Sequence, residues 1–98
     1  MAFSSLRDLL TRSLRTAGID RQVRAAQAVD AFGAVVAQHL GAPVAAQAAA
    51  VHLRDGVLTV RCASSAMAQE LRLRERELLA TLNERVGGGV ERLHFIQG

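Results

Sequence analysis

Apolar residues in the first forty positions recur every three or four residues, the spacing of an amphipathic helix, in two successive stretches. The first stretch predicts a helix from about Ser5 to Ala17. Gly18 is placed to end it, because glycine adopts the left-handed C-terminal conformation without penalty. Asp20 is a good N-cap for a second helix, which runs to about Leu40 before a glycine and a proline stop it.

The next apolar positions alternate with polar ones, as in half-buried strands. Asp55-Gly56 lies between two such segments, 49–54 and 57–62, and is a preferred pair for a two-residue type I′ turn. Residues Val44 to Ala50 are ambiguous, since alanine favours helix by propensity whereas a hairpin follows directly. Pairing across the turn predicts one apolar face, on which Leu53 faces Leu58, Val51 faces Val60 and Ala49 faces Cys62.

A third helix and a last strand follow the hairpin. Ser64 or Ser65 is a suitable N-cap for a helix from about Ala66 to Val86, and three consecutive glycines then break it. Val90 to Ile96 predicts a short strand. The order α-α-β-β-α-β predicts an α+β fold with helices packed on one face of a mixed three-stranded sheet. We expect residues 1–98 to form this single domain.

The charge is concentrated near the start of the chain. The formal net charge is +3, and all twelve basic residues are arginines. Five arginines face only two aspartates in residues 1–24, whereas the remaining seven are balanced by seven acids. Such an excess favours contact with nucleic acid or with an acidic protein surface, although a solvated amphipathic helix would have a similar pattern. The predicted DNA-contacting residues are Arg7, Arg12, Arg15, Arg21 and Arg24.

No group of residues predicts catalysis, a metal site or a cofactor. The three histidines lack metal-ligand spacing. Cys62 is the only cysteine, and on the apolar face of the hairpin we expect it to be buried and unreactive. The triplet Gly87 to Gly89 follows a helix, whereas phosphate-binding loops lead from a strand into a helix. We therefore do not expect an enzyme.

We expect neither a signal peptide nor a membrane span in this sequence. Neither a signal peptide nor an apolar stretch long enough to cross a membrane is recognisable, and a single thiol requires no oxidising compartment. The expected location is the cytoplasm, and the charge would allow association with the nucleoid.

The third predicted helix carries a candidate contact surface. Leu73 projects away from the apolar stripe towards Ala66 and Ala80, which makes a small exposed patch. Arg72 and Arg76 lie one helical turn apart, a spacing suited to acids on a partner or to successive phosphates. Acidic neighbours leave a merely solvated face as the alternative. We predict that Arg72, Leu73 and Arg76 bind a protein partner.

Three segments, in order, resemble the DciA family, the bacterial replicative-helicase loader or operator. GAVVAQHLGAP at 33–43 resembles its Gly-x-x-hydrophobic-Ala-x-His pattern followed by proline, and 55–60 resembles its D-G-x-L-x-V hairpin. Residues 64–71 and 78–83 resemble its S-S-x-W-A-Q-E-L…L-L-x-x-L-N helix. The resemblance covers about residues 20–97. It departs at Ala28 and Met67, where such sequences usually have tryptophan, and the chain ends at Gly98 without their common basic extension.

The resemblance implies a fold similar to the type II K-homology domain and a role as adaptor for the hexameric replicative helicase. It implies two partners, the replicative helicase and single-stranded DNA, the latter held weakly through phosphates, and assistance in helicase loading without ATPase activity. K-homology domains hold nucleic acid with a G-x-x-G loop, which this sequence lacks, so RNA recognition in that mode is not expected.

Two other functions remain open. The chain could be a sequence-nonspecific nucleic-acid-binding module without a helicase partner. It could also be a homodimerising domain that uses the edge formed by Val44 to Ala50, or the last strand, as its interface.

Overall fold

The computed structural model describes the backbone of residues 2–98, the burial of Gly18 and the side chains of residues 20–98. Over the described residues the chain forms four helices and three strands. In chain order these are α1 (Ala2–Leu40), α2 (Ala42–Ala45), β1 (Ala48–Arg54), β2 (Val57–Cys62), α3 (Ser65–Leu73), α4 (Glu75–Val86) and β3 (Arg92–Gln97).

The first helix is continuous where the sequence predicted two. Residues Ala2–Leu40 form α1 without interruption, so the predicted end at Gly18 and cap at Asp20 are wrong. Glycine inside a helix costs only about 1 kcal/mol relative to alanine, which favourable neighbours on both sides can offset. The predicted stop is confirmed at Gly41, whose φ of 92° is outside the helical range.

The ambiguous segment divides between two structures. Val44 and Ala45 belong to the single turn of α2, which begins at Ala42 with proline in its first turn. Strand β1 begins only at Ala48. The edge predicted from Val44 to Ala50 is therefore helical in its first part and extended in its last three residues.

The hairpin turn forms as predicted. Asp55 and Gly56 both have positive φ, 52° and 79°, as a type I′ turn requires. Next to the turn, Arg54 pairs with Val57 and Leu53 pairs with Leu58. The two-residue connection therefore sets the register at this end of the sheet.

Further along the hairpin the register shifts at a β-bulge between Ala50 and His52. The predicted pairs Val51–Val60 and Ala49–Cys62 are wrong; Ala50 pairs with Val60, and Ala48 pairs with Cys62. The extra residue rotates Val51 outwards, where it is 38% exposed. Beyond the bulge, two small alanines therefore take the inward positions.

Strand β3 completes the sheet by pairing parallel to β2, in the order β1-β2-β3. Leu58, Val60 and Cys62 of the central strand are fully buried on one face. Side chains from α1, α3 and α4 pack against that face, among them Phe32, Val35, Val36, Leu71, Leu78 and Leu82. The predicted α+β fold, with helices on one face of a mixed three-stranded sheet, is confirmed.

The predicted third helix is two helices. The Ser64 hydroxyl accepts a hydrogen bond from the Met67 amide at 3.1 Å and caps α3 as predicted. Arg74 then has φ −109° and ψ 14°, outside the α-helical region, and its amide bonds the Leu71 carbonyl three residues back at 3.0 Å. After this break, the Glu75 carboxylate accepts a hydrogen bond from the Leu93 amide of β3 at 2.8 Å.

The glycine triplet ends α4 and turns the chain towards β3. Gly87 is left-handed, with φ 81° and ψ 21°. Asn83 holds the far side of this turn, because its Nδ2 donates to the Val90 carbonyl at 2.8 Å and its Oδ1 accepts from the Val90 amide at 3.0 Å. The predicted turn is confirmed, and Asn83 is a structural clamp rather than part of a free polar surface.

Candidate functional site

The most exposed large apolar side chain of the described residues lies at the end of α3. Leu73 is 78% exposed, compared with 49% for Val23 and 38% for Val51. Its neighbour Arg72 is exposed, and the Arg72 Cζ lies 5.8 Å from the centroid of the Phe95 ring, close enough for a cation–π contact. Arg76 is exposed in the first turn of α4. We call Arg72, Leu73 and Arg76 the Leu73 surface.

The break at Arg74 changes the geometry of this surface. Arg72 and Arg76 belong to different helices, so the expectation that they lie one turn apart on a continuous helix is wrong. Arg74 itself pairs with Glu70 at 3.5 Å and with Glu77 at 4.0 Å. Among the described residues neither Arg72 nor Arg76 has an acid within that distance. Glu70 and Glu77 thus pair with Arg74, and the Leu73 surface keeps its two positive charges.

The predicted DNA-contacting residues are described only in part. Arg21 and Arg24 are exposed on α1, one turn apart on the helix. Together with Arg54 they line an open cleft of about 700 Å³ between α1 and the hairpin turn, which Asp20 and Asp55 also border. The side chains of Arg7, Arg12 and Arg15 lie outside the described residues.

Arg54 is a cleft residue that the sequence did not single out. It occupies the end of β1, beside the turn, and meets Arg21 and Arg24 only because α1 packs against β1. Gly89 makes room for this arrangement: a Cβ on Gly89 would lie 3.2 Å from the Arg24 Cδ. No local pattern predicts such packing between segments thirty residues apart.

Cys62 and His39 both lie at positions where they contribute to the packing of the fold. Cys62 is fully buried, and burial raises the pKa of its thiol, an effect that the Arg72 guanidinium only partly opposes. His39 Nε2 lies 2.7 Å from the Thr81 Oγ1 and joins α1 to α4. Within residues 20–98, no group of three or more His, Cys, Asp or Glu side chains is placed to hold a metal ion.

Ala28 and Met67, where the sequence departs from the family pattern that it resembles, belong to the core or pack against it. Ala28 is fully buried, and Met67 is half-buried against the core cluster. Both side chains therefore keep a packing role.

Among the helices of the described residues, none combines the length and apolar character needed to cross a bilayer.

A known protein family resembles this chain over most of its length. The family described as "Dna[CI] antecedent, DciA" matches residues 5–95. A UPF0232 protein from Rhodococcus jostii (strain RHA1) is 39% identical over 61 residues, which cover 62% of this chain and 32% of the relative. The matched segment thus spans about a third of the relative's length. Because the family match extends over most of the sequence, the chain belongs to the DciA family, and this membership supports a role related to DNA replication.

Proposed function

We propose that this protein is a DNA-replication accessory protein that binds the replicative helicase and assists its loading on single-stranded DNA. The family match over residues 5–95 is the observation that carries the proposal. We assign the protein no ATPase activity, because the sequence has no phosphate-binding loop of the G-x-x-x-x-G-K type. Its proposed role depends on binding alone.

The Leu73 surface is the proposed helicase-binding site. A leucine that is 78% exposed contributes little to folding, whereas its burial in a partner's pocket would contribute about 1.5–3 kcal/mol. Arg72 and Arg76, which have no ion pair among the described residues, favour a partner surface with acidic residues around an apolar pocket. This arrangement is typical of a small hot spot within a polar rim.

Single-stranded DNA is the second proposed partner, contacted by Arg7, Arg12, Arg15, Arg21 and Arg24. The exposure of Arg21 and Arg24 in the α1–hairpin cleft supports this assignment. Guanidinium groups on one helix would neutralise phosphates and position the strand without reading its bases. Binding should therefore be independent of sequence and strongly dependent on salt.

A pull-down with purified replicative helicase tests the first partner. Leu73→Glu should weaken the complex by about 2 kcal/mol or more, roughly thirtyfold, because a charge would occupy the apolar contact. Val23→Glu is the matched control, since it places the same group on another exposed apolar position, and it should leave the complex intact. An unaffected complex with the Leu73 variant refutes the chosen surface.

The salt dependence of DNA affinity tests the second partner. Each phosphate contact on a single strand contributes about 0.7 to the slope of log affinity against log salt. Reversal of Arg12 and Arg15 to glutamate should therefore reduce the slope by about 1.4. Undetectable binding of single strands at low salt would exclude the DNA role.

A sequence-nonspecific nucleic-acid-binding module without a helicase partner is the second candidate. The arginines that lack an acidic partner among the described residues, Arg21 and Arg24 included, favour it. It predicts DNA binding together with no helicase complex, so the same two experiments separate the candidates. A homodimer is a third arrangement, and molecular mass in solution measured against concentration tests it.

A further inference from the structure

Among the residues whose side chains the structure describes, none from a helix belongs to the core on one face of the sheet. Strand pairing places alternate residues of all three strands on this face, opposite the buried Leu58, Val60 and Cys62. We call it the open sheet face. Its polar and charged side chains are His52, Arg54, Thr59, Arg61, Arg92 and His94.

The register arranges these side chains in rows across the sheet. Arg54 and Arg92 both pair with Val57, so they stand in one row on the two outer strands. Arg61 lies four residues further along the central strand. Standard strand spacing separates the Cα atoms of Arg54 and Arg92 by about 10 Å, and the Cα atom of Arg61 from that row by about 13 Å. Arginines with backbones this far apart suit an extended ligand with several negative groups rather than one small anion.

The charge on this face is all of one sign. Arg54, Arg61 and Arg92 are exposed, and none of them has a carboxylate within 4.0 Å among the described residues. The acids nearest in sequence, Asp55 and Glu91, belong to the turn end of the sheet, where the Glu91 carboxylate lies beside Gly56. Arg54 and Arg92 stand at this same end and Arg61 stands at the other, and no described carboxylate lies within 4.0 Å of these positive charges.

A row of rings lies between the arginines. His52 and His94 both pair with Thr59, one from each side, and both are exposed. Thr59, between them, is only 9% exposed. Histidine rings and guanidinium planes are groups on which unstacked bases stack. The face thus combines phosphate-binding and base-stacking groups on a rigid platform.

We propose that the open sheet face binds single-stranded nucleic acid, with Arg54, Arg61 and Arg92 on the phosphates and His52 and His94 against the bases. A second copy of this chain is disfavoured, because like charges would meet across the interface. An acidic protein would use the arginines but has no bases to place on the two rings. This surface shares Arg54 with the cleft but does not include Arg21 or Arg24, and the inference does not depend on helicase binding.

Fluorescence anisotropy of the full chain with labelled oligothymidylate of about 20 nucleotides tests the inference. The key variant is R61Q/R92Q, which leaves the cleft intact. R74Q/R85Q is the matched control, since it removes the same charge from the helical side of the molecule. We expect R61Q/R92Q to bind roughly tenfold more weakly, with a salt slope smaller by about 1.4, and the control to stay within about twofold of the unmodified protein. Equal affinity of the two variants would overturn the inference.

Histidine variants and competitors identify the ligand chemistry. H52A/H94A should weaken oligothymidylate binding while leaving inorganic polyphosphate binding unchanged, because only bases stack on the rings. Oligouridylate of the same length should bind as oligothymidylate does. If polyglutamate displaces the oligonucleotide as effectively as unlabelled oligonucleotide does, the ligand is an acidic protein. If R61Q/R92Q changes the oligomeric state, the face is a dimer interface. Either result would overturn the inference.

Two further comparisons separate this inference from the proposed function. If R21Q/R24Q abolishes DNA binding and R61Q/R92Q does not, the inference fails while the N-terminal arginines keep their proposed role. The opposite result supports the open sheet face and removes that role. In either case R61Q/R92Q should still bind the helicase, whereas Leu73→Glu should still bind DNA.

Discussion

Replacement of Asn83 by alanine should destabilise the domain well beyond an ordinary polar substitution. The Asn83 amide makes two hydrogen bonds to the backbone of Val90, at 2.8 and 3.0 Å, across the glycine turn that joins α4 to β3. Val90 is only 3% exposed, so water cannot readily replace the lost partners. The Asn83→Ala variant would leave one buried N–H and one buried C=O without them.

The structure sets the size of the effect. A buried backbone group left unsatisfied costs about 1–3 kcal/mol, so two such groups cost about 2–4 kcal/mol when partial relaxation is allowed. A domain of this length has a total free energy of unfolding of about 5–15 kcal/mol. The loss is therefore a large fraction of the stability, and Tm should fall by 10 °C or more, on the order expected for this size.

Urea unfolding followed by far-ultraviolet circular dichroism measures this loss, as a decrease of about 1–2 M in the midpoint. Asn83→Asp keeps the acceptor but loses the donor, so it should fall between the unmodified protein and the alanine variant. Glu84→Ala, at the next and exposed position, is the control and should change stability by less than about 0.5 kcal/mol. A similarly small effect for Asn83→Ala would refute the clamp.

Four further predictions concern the core, the turn and the thiol. Leu78→Ala should lower the free energy of unfolding by about 2–5 kcal/mol in the same urea assay, because the side chain is fully buried. Gly56→Ala should cost about 1–2 kcal/mol, since φ is 79° there and a Cβ would lie 2.9 Å from the Glu91 side chain; an unchanged midpoint would contradict this. Cys62 should react with a thiol reagent only after unfolding. Because burial raises the pKa of this thiol in the folded state, the unfolded chain loses its proton first, and stability should fall as pH rises past the ordinary thiol pKa.

The hairpin shows which part of the sheet was predictable. Asp55-Gly56 encodes its turn locally, and the pairs beside it follow from the two-residue connection. The bulge before His52 was not predictable, because Ala48, Ala49 and Ala50 are identical and fit either face equally well. A pattern of alternating hydrophobicity contains no register information in such a run.

The helices show the limit of local breaking signals. Gly18 lowers helix stability by an amount that adjacent helical residues can offset, so α1 continues through it. At Arg74 the reverse occurs, since no glycine or proline marks the break between α3 and α4. The bond from the Leu93 amide to the Glu75 carboxylate accompanies this break, and it depends on tertiary structure.

Of the candidate surfaces, one was predictable from the sequence and another was not. The exposure of Leu73 was predictable, because the residue departs from the apolar stripe of its own helix. The row that holds Arg54 and Arg92 was not, because it requires the register of a parallel pair between distant strands. Single-helix surfaces can be found from periodicity, whereas surfaces shared by several strands require the assembled sheet.

The parallel pairing of β3 with β2 has a kinetic consequence. The β1–β2 hairpin closes through two residues and can form within microseconds, but β3 joins only after two intervening helices have been placed. The β2–β3 pairing should therefore form after the hairpin, because its loop-closure entropy is larger than that of a two-residue turn. Since Arg92 and His94 reside on that strand, detachment of β3 would dismantle the open sheet face while the hairpin persists. Hydrogen exchange should accordingly find the amides of β3 less protected than those shared by β1 and β2.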